Sequence, residues 1–158
     1  MEEHIGEKSF VEKKEKARQL FEQQRTLYNP YFDRKIILNS DGFHHLQFSA
    51  QRERSKEEQK LKFRLLPLAF EVIRKSGTVQ EYRKSLIPIG KRYSRDGSFK
   101  MKTVEYWGFM AIVGLRSIRI RVILRRVGDG NITFWSVMPH SKIKNGRQKL
   151  ASEGIDEE

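Results

Sequence analysis

The residue types that could do chemistry fall in two stretches of the chain. Arg119, Arg121 and Arg125 sit at odd positions of a run whose even positions are Ile118, Ile120, Val122 and Leu124. His44 and His45 stand side by side, with Arg52 and Arg54 following within ten residues. Guanidinium forks grip phosphate oxygens bidentately, and imidazole is the side chain that exchanges a proton near neutral pH. Together these groups could bind a phosphate backbone and move a proton on it. The competing reading is structural: an antiparallel sheet often leaves one face in water, where arginines are ordinary. Neighbouring histidines in extended backbone point in different directions and make poor joint metal ligands. With no cysteine, and no further histidine or carboxylate at ligand spacing, neither zinc nor any other cofactor is expected.

The elements that must position these groups can be read from periodicity. Alternation from Ile118 to Leu124 is that of a strand with one buried and one cationic face. Gly128, Asp129, Gly130 and Asn131 tolerate the backbone of a tight turn, so a strand should return at once. With Asp129 and Gly130 at the tip, Val127 pairs with Ile132, Leu124 with Trp135 and Val122 with Val137. That register puts Trp135 and Val137 in the core, and gathers Phe134 and Ser136 with Arg119, Arg121 and Arg125 on the other face.

Composition narrows the partners. The 158 residues make about one domain with one moderate core. Lys and Arg number 32 against 20 acids, a formal charge of +12, so an anionic partner such as nucleic acid is the first expectation. The acids Glu153, Asp156, Glu157 and Glu158 cluster at the C-terminus and leave the middle more basic still. The absence of cysteine excludes disulfides and a thiol nucleophile and fits a reducing compartment. No run approaches the roughly 18 apolar residues of a membrane span, and the polar start is not a signal peptide. A soluble, cytoplasmic protein is expected.

Taken in order, residues 1–30 read as an exposed amphipathic helix with a thin stripe of Phe10, Ala17, Leu20, Phe21 and Leu27, stopped by Asn29 and Pro30. Lys35 to Leu38 reads as a short strand. Ser55 to Glu58 form a capping box, which opens a helix carrying Leu61, Leu65, Leu68, Ala69, Val72 and Ile73 on one face. Pro67 should kink or break it, and Gly77 should close it. Ser85–Tyr93 and Ser98–Trp107 read as strands around a Ser94–Gly97 turn, and the strand continues to Val113 with Gly108 as a candidate bulge. The fold class is α+β, N-terminal helices packed on a four-stranded antiparallel meander, with one domain over 31–140. Residues 141–158 hold too few apolar groups to offset ordering entropy and are expected to be a mobile tail.

The order GFHHLQFSAQRER, KLKFRLLPLAFEVIRKSG, VEYWGFMAI and IRIRVILRRVGDGNITFWSVMP resembles the phage and mobile-element branch of the ribonuclease superfamily of barnase, EndoU, the colicin tRNases and RelE. The likeness covers roughly residues 35–139 and lies in the plan of elements. It implies a metal-independent endoribonuclease, often a toxin, with RNA as substrate and an acidic antitoxin or inhibitor protein as a possible partner, and no membrane. Carried over by position, it implies a histidine after the first strand (His44 or His45), basic residues before the next helix (Arg52, Arg54), and arginine with a hydroxyl on the last two strands (Arg125, Ser136). There is no clear glutamate base on the sheet face.

Such an enzyme lets a neutral imidazole take the proton of an RNA 2′-hydroxyl, which attacks phosphorus and leaves a 2′,3′-cyclic phosphate. His45 or His44 is the expected base. Arg121 and Arg125 would offset the added charge on phosphorus, a contribution of about 3 to 4 kcal/mol per donor. Candidates for the acid are His140, the second histidine of the pair, or an arginine acting by polarisation. Arg119 would hold backbone, and Phe134 or Trp107 would stack a base. The rival is a non-catalytic RNA- or DNA-binding module in which the same arginines bind and the histidines are incidental.

Overall fold

A computed structural model of the chain describes residues 2–49, 51–89, 100–144 and 147–150. The fold is α+β, with three helices on one mixed six-stranded sheet among the described residues. The strands are β1 (Thr26–Asn29), β2 (Arg34–Ile37), β3 (Glu81–Ile89), β4 (Lys100–Val113), β5 (Ile118–Val127) and β6 (Thr133–Pro139), in the order β1-β2-β6-β5-β4-β3. The expected four-stranded meander therefore has to be corrected. A β1–β2 hairpin adds to β6 through the parallel pairing of Ile37 with Thr133, which makes the sheet mixed. The reading of Lys35 to Leu38 as a strand matches β2, but the residues of β1 read as the end of the first helix, because four residues carry too little alternation to separate them. The Ser94–Gly97 turn lies outside the described residues.

Helix α1 (Glu2–Gln24) ends earlier than Asn29–Pro30 would suggest, because Thr26–Asn29 is taken by β1. It is part of the body: Ala17 and Phe21 are buried in the main core, and Phe10 packs its ring on Phe63. Asn29 ties β1 to the end of the long helix, donating to the Ile73 carbonyl at 2.7 Å while its Oδ1 accepts the Phe32 amide. Ser141–Lys144 and Arg147–Leu150 pair as a small separate hairpin, β7 and β8, where a tail was expected.

Helix α3 (Lys56–Lys75) starts where the capping residues require, with Ser55 Oγ accepting the Glu58 amide at 3.2 Å. It runs through Pro67, which lies in its interior and is exposed. Gln59, Lys62, Phe63, Leu65, Leu66, Ala69, Phe70, Val72 and Ile73 are buried from it against the sheet. From the sheet, Trp107, Phe109, Ile120, Val122, Leu124, Phe134 and Val137 meet them in one apolar core. The opposite face carries a smaller cluster of Val104, Tyr106 and Ile123, with Trp135 and Met138 packed against it.

Candidate functional site

The site is made by a bulge in β6. Val122 pairs with Val137 and Ile123 with Ser136, but Leu124 pairs with Phe134, so Trp135 is the extra residue. A bulge of this kind turns two consecutive side chains toward one face. Phe134 thereby enters the core and is fully buried, while Trp135 leaves it for the arginine face. The simple hairpin register had these two aromatics the other way round. Next to the loop the pairing is therefore shifted by one residue, with Arg125 opposite Thr133, and Gly128 in the turn adopts φ +56°.

Helix α2 (Ser40–Gln47) carries both histidines, in helical rather than extended backbone. Asn39 caps it by accepting the Gly42 amide at 3.1 Å. Gly42 lies so close to β6 that a Cβ there would stand 2.5 Å from the Phe134 carbonyl oxygen. That approach brings His45 onto Trp135, ring centroids 4.0 Å apart and planes 18° from parallel. His44 instead faces out and stacks on Phe48 at 4.5 Å, away from the sheet arginines.

After α2 the chain doubles back through a Phe48–Glu53 bridge, and the Arg54 amide donates to the Gln47 carbonyl at 2.8 Å. Arg54, 6% exposed, then clamps His45. Its Nε donates to the His45 carbonyl at 3.0 Å, and its Nη2 lies 3.2 Å from His45 Nε2. A guanidinium can only donate, so Nε2 is the accepting nitrogen in this contact. Glu58 approaches Arg54 Nη1 at 3.8 Å and also pairs with exposed Arg52 at 3.1 Å.

Arg125 lays its guanidinium on the Trp135 ring, 4.0 Å from the centroid. Such a contact is worth about 0.5 to 2 kcal/mol. Its Nε is buried without a hydrogen-bond partner, and no carboxylate pairs with Arg125 among the described residues. From α3, Lys62 donates to Ser136 Oγ at 3.0 Å and to the Val137 carbonyl at 2.9 Å, over the open edge of β6. The Ser136 hydroxyl is thus fully buried and engaged. Arg125 on the indole, Arg54 on the imidazole stacked against it and Lys62 on the adjacent Ser136 thus gather three cationic side chains, a local charge suited to an anion.

The other sequence-predicted residues lie elsewhere. Trp107 is in the core against Phe32 at 4.9 Å and cannot stack a base; the alternation puts it on the face of Leu124. Phe134 is excluded on the same ground. Arg121 is bound to Glu81: Nη2 donates to Oε2 at 3.1 Å, and Nε stands 2.8 Å from Oε1 in a poorly aligned contact. Arg119 and His140 are neighbours, the His140 amide donating to the Arg119 carbonyl at 3.1 Å, but they sit six residues along β5 from Arg125. Burial lowers the His140 pKa, and the Arg121 and Arg119 charges add to this against Glu81, so its ring is neutral at pH 7.

Sequence reasoning missed Lys62 and Trp135. The signal for Lys62 was present: Gln59, Leu65 and Leu66, three and four residues away, all face the core, so a lysine between them is on the buried stripe. The chain matches no protein-family model, no curated protein and no solved structure. No helix among the described residues is long and apolar enough to cross a membrane, and no three His, Asp or Glu there gather as a metal site.

Proposed function

We propose that the protein is a metal-independent endoribonuclease whose reaction centre is the His45–Trp135–Arg125 stack with Arg54 and Lys62. The observation that supports this most is the buried, unpartnered Nε of Arg125 beside the only histidine on the cationic cluster among the described residues. A buried N–H without an acceptor costs about 1 to 3 kcal/mol, which a phosphate oxygen would recover.

In this reading the incoming phosphate draws the Arg54 guanidinium off His45 Nε2, and that nitrogen takes the 2′-hydroxyl proton. The O2′–P bond forms and the P–O5′ bond breaks, leaving a 2′,3′-cyclic phosphate, while solvent protonates the departing 5′-oxygen. Arg125 and Lys62 supply the positive field on phosphorus. Ser136 acts through Lys62, whose ammonium it holds, and His44 has no part. A toxin role and an acidic inhibitor protein extend the same reading to the cell.

A second reading rests on the exposure of His45, 6%, and on its occupied Nε2. These suit a non-catalytic RNA-binding module in which imidazole and indole form a rigid platform. RNA incubated with purified protein in EDTA decides between them. Fragments ending in cyclic phosphate, lost in His45→Ala while binding persists, support the enzyme; bound but intact RNA supports the module.

A further inference from the structure

The far end of the same sheet face holds a second cationic cleft that the reaction centre does not use. Arg119, Met110, Ala111, Ile112 and His140 line a cleft of about 310 Å³. That is at the low end of the roughly 300 to 1,000 Å³ of small-ligand sites. Of its polar groups, Arg119 is exposed, and His140 Nδ1 is buried without a hydrogen-bond partner. Arg121 between the two ends is neutralised by Glu81, so the face carries two separated positive centres with the half-buried Met110 and Met138 between them.

We infer that this cleft is a distal nucleotide subsite, and that the substrate is single-stranded RNA lying along β5. The inference rests on the reaction centre proposed above. Arg125 and Arg119 are six residues apart on one strand, about 20 Å at the usual rise. A stacked strand covers that distance in roughly six nucleotides at about 3.4 Å each, and an extended one in about half as many. Arg119 takes a backbone phosphate there. The neutral His140 ring bonds a ribose hydroxyl through Nδ1, and Met110 and Ile112 face the base. A duplex is excluded because its bases are paired and cannot reach Met110 and Met138.

The test compares cleavage of an RNA dinucleotide with that of an unstructured RNA octamer, by wild type, Arg119→Ala and His140→Gln. The ratio of kcat/KM for octamer over dinucleotide should fall about tenfold in Arg119→Ala, the loss of one charge-assisted contact. An unchanged ratio overturns the subsite. If wild type cuts neither RNA, the nuclease reading fails by itself. The subsite is then tested by anisotropy with a 2′-O-methyl octamer, on which Arg119→Ala must still weaken binding more than on the dinucleotide. Equal effects on the two lengths refute it.

Discussion

Replacing Gly42 by alanine tests the placement of the whole site through one methyl group. The new Cβ would lie 2.5 Å from the Phe134 carbonyl oxygen and 3.4 Å from its carbonyl carbon and Cδ1. The obstacle is backbone of a paired strand and cannot rotate aside, so α2 must move out until the gap reaches at least 3.0 Å. Overpacking against such a wall costs about 3 kcal/mol, the upper end of the usual range. The helix-propensity gain from Gly to Ala returns about 1 kcal/mol, which leaves a net loss of about 2 kcal/mol. His45, three residues on, is carried off the Trp135 ring, so RNA cleavage should fall further than the lost stability explains. Urea unfolding gives the first quantity, and cleavage under conditions where the variant remains folded gives the second. Gly6→Ala in α1, with nothing within 4 Å of the added Cβ, is the control and should not destabilise. A Gly42→Ala protein as stable and as active as wild type would refute the close α2–β6 approach and everything built on it.

Three more outcomes follow from the geometry. His44→Ala should cut RNA like wild type and His45→Ala should not, in the same gel assay; equal losses would remove the distinction drawn from their opposite orientations. Arg121→Ala should destabilise by about 1 to 3 kcal/mol because it strands the Glu81 carboxylate, which is partly exposed and so escapes the full penalty of a buried ion. Arg121→Met with Glu81→Gln should recover most of that loss in denaturant titration, and failure of the rescue would mean the pair is not what Arg121 is for. Burial pushes the Glu105 carboxyl up, but hydrogen bonds from Arg126 and Tyr82 outweigh this and hold it below its ordinary 4.5. A depressed carboxyl stabilises the fold fully above its unfolded value and ceases to do so as pH falls through its folded value. Wild type should therefore lose stability below about pH 4.5 more steeply than Glu105→Gln, as read from urea midpoints across that range.

Much of the fold was legible where a period repeats often enough to be seen. The α3 stripe from Leu61 to Ile73 and the β5 alternation from Ile118 to Leu124 each contain several turns of their period, and most of the faces they predict are buried, with Leu61 and Leu68 half-buried and Ile118 exposed. The short strands β1 and β2 hold four residues each, and their place in the sheet depends on a single parallel pairing to β6 that no local pattern encodes. The bulge was invisible for a different reason. Phe134 and Trp135 are both large aromatics, so hydrophobicity alone cannot say which one faces in; the bulge at Trp135 decides. Glu81 and Arg121 are 40 residues apart in the chain, and only the fold shows that the arginine is already spent on a carboxylate.

The arginines of β5 show why charge patterning identifies a face but not a site. Arg126 points to the core side, where Glu105 takes both its Nε and Nη2, and it serves stability. Arg121, more buried than Arg126, is compensated by Glu81 across two strand spacings. Neither can offer its charge to a ligand without first leaving an acid behind. Arg125 differs because its contact is an aromatic face, Trp135, which holds the guanidinium in place without neutralising it. Arg119 differs because it remains in water. The useful question for a cationic strand is therefore which carboxylates its own neighbours place within reach. Here Glu81 and Glu105 on β3 and β4 answer for two of the four, and the two they leave uncompensated define the ends of the surface on which an RNA strand would lie.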